Sequence, residues 1–262
     1  MKTVHARTLA LRIAALAAAG LVLTACNDDE AATGAAGQST PTATASAGGK
    51  PSGKPTGKAS DKPSSSAVAG GDAAAQARTD KLALTPADWG AGFETRDDDD
   101  TSLTNYTMDK SCLNKEDGTV KGLVANTGRY VRAQRPDGEE LWGSSVAAQF
   151  TTADAAHQDM AESAANVRRC PNYKDEDGTE TISAHDIESP KVPGADEVYS
   201  EEGLAVYHND DGTTTPERPY SAITARKGPV VVTVFVDLAP NQQVFEGRAQ
   251  VRALLQKVTA KW

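Results

Sequence analysis

The sequence predicts an α+β domain, an antiparallel sheet with helices packed on it, carried behind a long segment that forms no core. Three observations carry that prediction. Val230-Val-Val-Thr-Val-Phe-Val236 is β-branched and nearly all apolar, the composition of the most buried, central strand of a sheet. In the stretch after Thr151, Ala156, Met160, Ala164 and Val167 recur on one helical face. From residue 27 to about 78, by contrast, the only bulky apolar side chain is Val68. Such a stretch cannot bury enough surface to offset the entropy of ordering.

The chain opens with a segment that reads as an address. Lys2, Arg7 and Arg12 supply a basic start, and Ile13 to Leu23 is unbroken apolar and small. That is the pattern of a secretory signal. The apolar run is roughly half the ~20 residues a membrane-spanning helix needs. Leu23-Thr24-Ala25-Cys26 then matches a bacterial lipoprotein cleavage site. The expectation is a signal peptide over 1–25 and lipid attachment at Cys26; the alternative is a cleaved, secreted chain. Acyl chains at Cys26 would anchor the protein to the membrane at roughly 0.8 kcal/mol per buried CH₂. The expected location is the outer face of the cytoplasmic membrane.

Residues 26–78 read as the lipidated cysteine and a disordered Ala/Gly/Ser/Pro/Lys tether. A four-residue period starts at Lys50, Lys54, Lys58 and Lys62, with Pro following three of them. A flexible coil of this length reaches ~40 Å on average. Its fully extended limit is ~175 Å. Such a spacer holds a domain away from the membrane.

Charge and cysteines bound the function. Removing residues 1–25 takes away three of 27 basic residues and leaves 24 Lys+Arg against 36 Asp+Glu, a formal charge of −12. That balance argues against nucleic acid as a partner. Setting Cys26 aside leaves Cys112 and Cys170. An even remainder in an oxidising compartment suggests one disulfide, with two buried thiols as the alternative.

Residues 79–262 are expected to form one domain. Thr85-Pro86-Ala87-Asp88-Trp89 reads as a short helix with Thr85 as its cap. Tyr130–Gln134 and Ser145–Phe150 read as strands with the Asp137-Gly138 turn between them. Thr151 is the expected cap of the helix that follows, with Asp154 three residues on. Arg168 and Arg169 suit its C-terminal end. Thr181–Ile187, Leu204–His208 and Tyr220–Arg226 read as further strands, and Lys227-Gly228-Pro229 as a hairpin turn into the valine run. A final helix from near Asn241 is expected to bury Val244, Phe245, Leu254, Leu255 and Val258.

Catalytic motifs are missing from the sequence. There is no G-x-S-x-G elbow, no H-E-x-x-H and no phosphate-binding glycine loop. The four Asp-Gly pairs, at 117, 137, 177 and 211, read as turns; the two that resemble calcium loops put Tyr173 and Tyr207 where an oxygen ligand is required. His157, His185 and His208 read as surface histidines. No metal site and no cofactor is expected, and the chain is not expected to be an enzyme.

Leu84-Thr-Pro-Ala-Asp-Trp89-Gly, Cys112, Ala147-Ala-Gln-Phe150 leading into Thr152-Ala-Asp-Ala-Ala156, Cys170-Pro and the valine-rich hairpin occur in a particular order. In that order the chain resembles the extracellular sensor-like domains of actinobacteria, of the PknH type found outside a mycobacterial Ser/Thr kinase and in stand-alone lipoproteins. The resemblance covers about residues 80–262. It implies an antiparallel sheet with helices around a ligand-receiving cleft. The kinase-linked domain is expected to hold two disulfides where this chain can make one. Tyr207, Tyr220 and Arg226 are candidates to line the cleft, although core packing explains the tyrosines equally well. The implied function is a lipid-anchored binding module for a small molecule or an envelope component. The alternatives are a docking lipoprotein without such a ligand, and an unrecognised hydrolase.

Overall fold

The structure is a computed structural model that describes residues 72–209 and 211–262. The expected signal segment, Cys26 and the tether as far as residue 71 lie outside the described residues. Within them the fold is α+β, as expected, built on a ten-stranded sheet. Its strands are β1 (Phe93–Thr95), β2 (Thr104–Met108), β3 (Leu113–Thr119), β4 (Leu123–Gln134), β5 (Glu140–Phe150), β6 (Tyr173–Asp175), β7 (Glu180–Asp186), β8 (Glu197–Val206), β9 (Arg218–Lys227) and β10 (Val230–Asp237). They lie in the order β1-β4-β5-β10-β9-β8-β7-β6-β3-β2. The sheet is antiparallel except where β3 runs parallel to β6, so it is mixed rather than wholly antiparallel.

The helices are α1 (Ala73–Leu82), the single turn α2 (Pro86–Trp89), α3 (Ala153–Arg169) and α4 (Val244–Thr259). Helix α1 begins inside the stretch whose composition reads as tether. Alanine is the best helix former, and the Asp72 carboxylate caps the start by accepting from the Ala74 and Ala75 amides. Ala75, Thr79 and Leu82 then form its buried face. Composition alone cannot separate an alanine-rich tether from an alanine-rich helix that has something to pack on.

Strand β10 is the expected central strand. All eight of its residues are buried, and it pairs with β5 on one side and β9 on the other. Successive side chains point to opposite faces, so its apolar content serves two cores. On one face, Val232, Val234 and Val236 pack with Leu82, Trp89, Val251 and Leu255 from α1, α2 and α4. On the other, Val231 meets Phe150, Ala156 and Met160, which seats α3 on that side. Trp89 lies on the β5 backbone at Gly143, where an added Cβ would stand 2.4 Å from the ring. Only glycine admits that contact.

The caps and faces differ from expectation in detail. Helix α3 is capped by Thr152, whose hydroxyl accepts from the Ala155 amide, rather than by Thr151. Its buried face, with Ala156, Met160, Ala164 and Val167, is the expected one. Helix α4 buries Gly247, Val251, Leu254, Leu255 and Val258. Phe245, expected in that stripe, is 63% exposed. It sits two residues from Gly247, about 200° round the helix from the buried face. The four Asp-Gly pairs all place glycine at positive φ, as turns require.

Cys112 and Cys170 are joined, with Cα atoms 5.6 Å apart across a separation of 58 residues. The bond ties the C-terminal end of α3 to the loop before β3. Asp109 shapes that loop: its carboxylate accepts from the Ser111 hydroxyl and from the Ser111 and Leu113 amides. These donors, the Ser111 hydroxyl first, hold its pKa well below the usual carboxylate range.

Candidate functional site

The three side chains expected to line a cleft all lie on the α3 side of the sheet, and none of them borders the cavities found among the described residues. Tyr220 is fully buried. Its ring stacks on Phe235 at 5.3 Å and covers Gly203, where a Cβ would stand 2.7 Å away. Its hydroxyl meets Glu201 Oε1 at 3.3 Å. Tyr207 packs edge-on against Trp142 at 4.7 Å. Arg226 is held by Glu197 at 3.0 Å and Asp196 at 3.3 Å, and also donates to the Gly228 carbonyl. Core packing accounts for the two tyrosines and ion pairing for Arg226.

This face instead carries a buried polar network that sequence reading missed. Arg218 donates from Nε to Asp237 Oδ1 at 2.8 Å and from Nη2 to the Glu140 carbonyl at 2.5 Å. Its guanidinium lies 4.7 Å from the Trp142 ring centroid, with that of Arg96 at 5.3 Å. Asp237 is wholly buried. Burial pushes its pKa up to about 6, against the pull of Arg218. Nearby, burial pushes Glu201 up to about 7, and its Oε2 has no hydrogen-bond partner among the described residues. Two concavities border α3: one of about 240 Å³ between residues 120–122 and its first turns, and one of about 40 Å³ beside Tyr199, Thr224 and Thr233. The smaller is room for a few waters.

Glu201 gives a signed pH prediction. An acid whose folded pKa stands above its unfolded value stabilises most when protonated. Its contribution is full below the unfolded pKa and is lost as pH rises through the folded one. For Glu201 the window runs from 4.5 to about 7. We expect Glu201→Gln to flatten the fall in stability across that window and to leave the variant more stable at pH 8, by up to ~3 kcal/mol. Denaturant unfolding of both proteins at pH 4.5, 6 and 8 checks this. Parallel curves would refute it.

A concavity of ligand size lies on the opposite face of the sheet, beside the β9–β10 hairpin. Strand β9 ends at Lys227 and β10 begins at Val230. The two-residue loop between them puts Gly228 at φ +56°, the glycine-first arrangement of a hairpin turn. This turn, the end of α1 and residues 261–262 enclose about 550 Å³, within the ~300–1,000 Å³ usual for ligand pockets. Leu82, Pro229, Val230 and Trp262 give it an apolar floor. Arg78, Lys81, Lys227 and Lys261 stand around it.

The charges are unevenly satisfied. Lys261 lies 3.4 Å from Asp88 Oδ2. Arg78 donates to Gln149 Oε1 at 3.2 Å, a neutral partner. Lys227 rests over the Trp262 ring at 5.6 Å. No carboxylate within ion-pair distance of Lys81 or Lys227 is found among the described residues. Asp88 faces Lys261, and Asp196 accepts from the Gly228 amide at 2.7 Å and from Arg226. The Trp262 indole N–H is buried without an acceptor among the described residues.

The expected histidines lie elsewhere. His157 meets Glu197 and His208 meets Glu180, both on partly exposed surface, and His185 is exposed. Among the described residues no three His, Cys, Asp or Glu side chains converge as metal ligands would.

No protein family and no curated relative matches this chain by sequence. Two solved structures are similar to it. One is the extracellular domain of PknH from Mycobacterium tuberculosis, with a TM-score of 0.45 and 14% identity over 71% of this chain and 97% of that one. The other is an uncharacterised protein from Mycobacterium smegmatis, with a TM-score of 0.31 and 14% identity over 55% of this chain and 67% of that one.

Proposed function

We propose that this chain is a lipid-anchored, non-enzymatic binding module on the outer face of the cytoplasmic membrane, and that its ligand site is the cleft between α1, the β9–β10 turn and Trp262. The cleft carries the reading: it has ligand-sized volume, an apolar floor and cations without carboxylate partners. The address rests on the basic start, the apolar run and Leu23-Thr24-Ala25-Cys26. Cys112–Cys170 suits an oxidising compartment. A docking role without a small ligand would call for an exposed apolar patch. Among the described residues Phe245 is the one large apolar side chain that stands exposed, and a single side chain is not a patch.

Native and denaturing mass measurements on the full chain, extracted from membranes without reduction, test both halves. The denatured mass should exceed that of residues 26–262 by the acyl chains on Cys26, and Cys26→Ser should abolish the excess. The native mass should carry a further increment that is lost on denaturation. A native mass equal to the denatured one, together with a stability unmoved by any added compound, would favour the docking role.

A further inference from the structure

Resting on the binding-module reading, we propose that the cleft takes a phosphate-bearing amphiphile, its head among Arg78, Lys81 and Lys227 and its apolar part on Leu82, Pro229 and Trp262. Three observations lead there.

The first is charge. Residues 72–262 carry 20 Lys+Arg against 32 Asp+Glu, so cations are the minority on this surface. Four of them nevertheless border one cavity. Like charges brought together raise the energy of the empty protein, and an arriving anion relieves that energy.

The second is the state of those cations. Lys261 is matched by Asp88, whereas Arg78 has a neutral partner and Lys227 an aromatic one. An anion entering the cleft therefore breaks no ion pair with Arg78, Lys81 or Lys227. A phosphate offers several strong acceptor oxygens and more than one unit of charge, which suits several separate donors.

The third is the floor. Leu82 and Val230 belong to the core, but Pro229 and the Trp262 ring are only half-buried at the cleft, and a bare anion would leave that apolar surface uncovered. A charged rim over an apolar floor matches a molecule that is charged at one end and apolar at the other. The cavity of about 550 Å³ accepts one such molecule. Two sources share this chemistry: a free, single-chain amphiphile, or the headgroup of a bilayer lipid whose chain leans in.

The test uses the full chain carrying Cys26→Ser, so that no acyl chain of its own can enter the cleft. The probes are lysophosphatidylglycerol below its micellar concentration, lysophosphatidylcholine with the same tail, inorganic phosphate, and phosphatidylglycerol vesicles. Calorimetry and thermal unfolding are the readouts. Lysophosphatidylglycerol should bind and raise the unfolding temperature. It should bind at least tenfold more tightly than the zwitterionic lipid or phosphate, and more weakly as salt rises.

Lys81 and Lys227 are exposed, so Lys81→Glu with Lys227→Glu should leave the ligand-free protein folded, with the like-charge repulsion at the cleft relieved, and weaken binding more than tenfold. Tighter binding to vesicles than to the monomer would name the bilayer as the source, and the reverse a free molecule; either supports the proposal. Equal binding of phosphate and lysophosphatidylglycerol overturns it, as does binding that ignores the charge reversals. If lysophosphatidylglycerol fails while a co-purified mass persists on the chain, the ligand class is wrong and the binding-module reading stands.

Discussion

Arg218→Met should destabilise the domain by ~3–5 kcal/mol at pH 8, the cost of leaving a buried carboxylate without its cation. Arg218 is 5% exposed and Asp237 is 0% exposed, so neither charge is hydrated enough to survive alone. The methionine keeps most of the volume beside Trp142, which separates the loss of charge from the loss of packing. The pH dependence identifies the cause. Burial already lifts Asp237 to about 6 with Arg218 in place, and removing the guanidinium lifts it further. At pH 5 the carboxyl of the variant takes a proton, and most of the penalty should vanish. Asp237→Asn placed on top of Arg218→Met should restore stability at pH 8 by the same route. Urea unfolding of the three proteins at pH 5 and 8 is the measurement. A penalty equal at both pH values and unrelieved by Asp237→Asn would show that packing of the arginine stem, rather than charge, is what matters there.

Removing the disulfide should cost about as much. With Cys112→Ser and Cys170→Ser together, chain-entropy arithmetic for a closed loop of 58 residues gives ~4 kcal/mol, within the ~2–5 kcal/mol usual for lost native disulfides. For a domain of this size that lowers the midpoint of thermal unfolding by ~10 °C. The native loop should persist, because Arg169 donates to the Met108 and Asp109 carbonyls at 2.9 Å each and Asp109 holds the turn before Cys112. Calorimetry of the wild type with and without reductant, beside the double variant, checks this. Reduced wild type and variant should melt together, and a shift under 2 °C would mean that the non-covalent braces suffice.

Much of this was legible in residue order, for reasons that are local. The central strand is readable because β-branched apolar residues without a polar alternate fit only a strand covered on both faces. The buried face of α3 is readable because four small or apolar residues keep helical spacing. The Cys112–Cys170 pair follows from counting if Cys26 is set aside. The α1 start, the Thr152 cap and the exposure of Phe245 were missed or shifted by a residue or more, since each depends on what the segment packs against.

Strand β8 was readable only as its last few residues, and its case is instructive. Glu197-Val-Tyr-Ser-Glu-Glu-Gly carries three acids, a poor prospect for a buried strand. Glu202 is 2% exposed because Arg248, on α4, grips both its oxygens at 2.7 and 2.6 Å. Glu201 is 1% exposed because its own pKa yields to burial. Partner and proton both come from outside the strand, so no local pattern announces them.

The sequence by itself thus determined the α+β class, the central strand, the helix face and the paired cysteines, because each is a matter of spacing along the chain. Only the tertiary structure decided where a cavity of ligand size lies. Arg78 and Lys81 close one helix, Lys227 ends a strand, and Lys261 and Trp262 follow the last helix. Their charges and ring act together only because the sheet brings those chain segments to one edge of one cavity. Electrostatic and apolar contacts depend on distance in space, and separation in sequence does not set that distance.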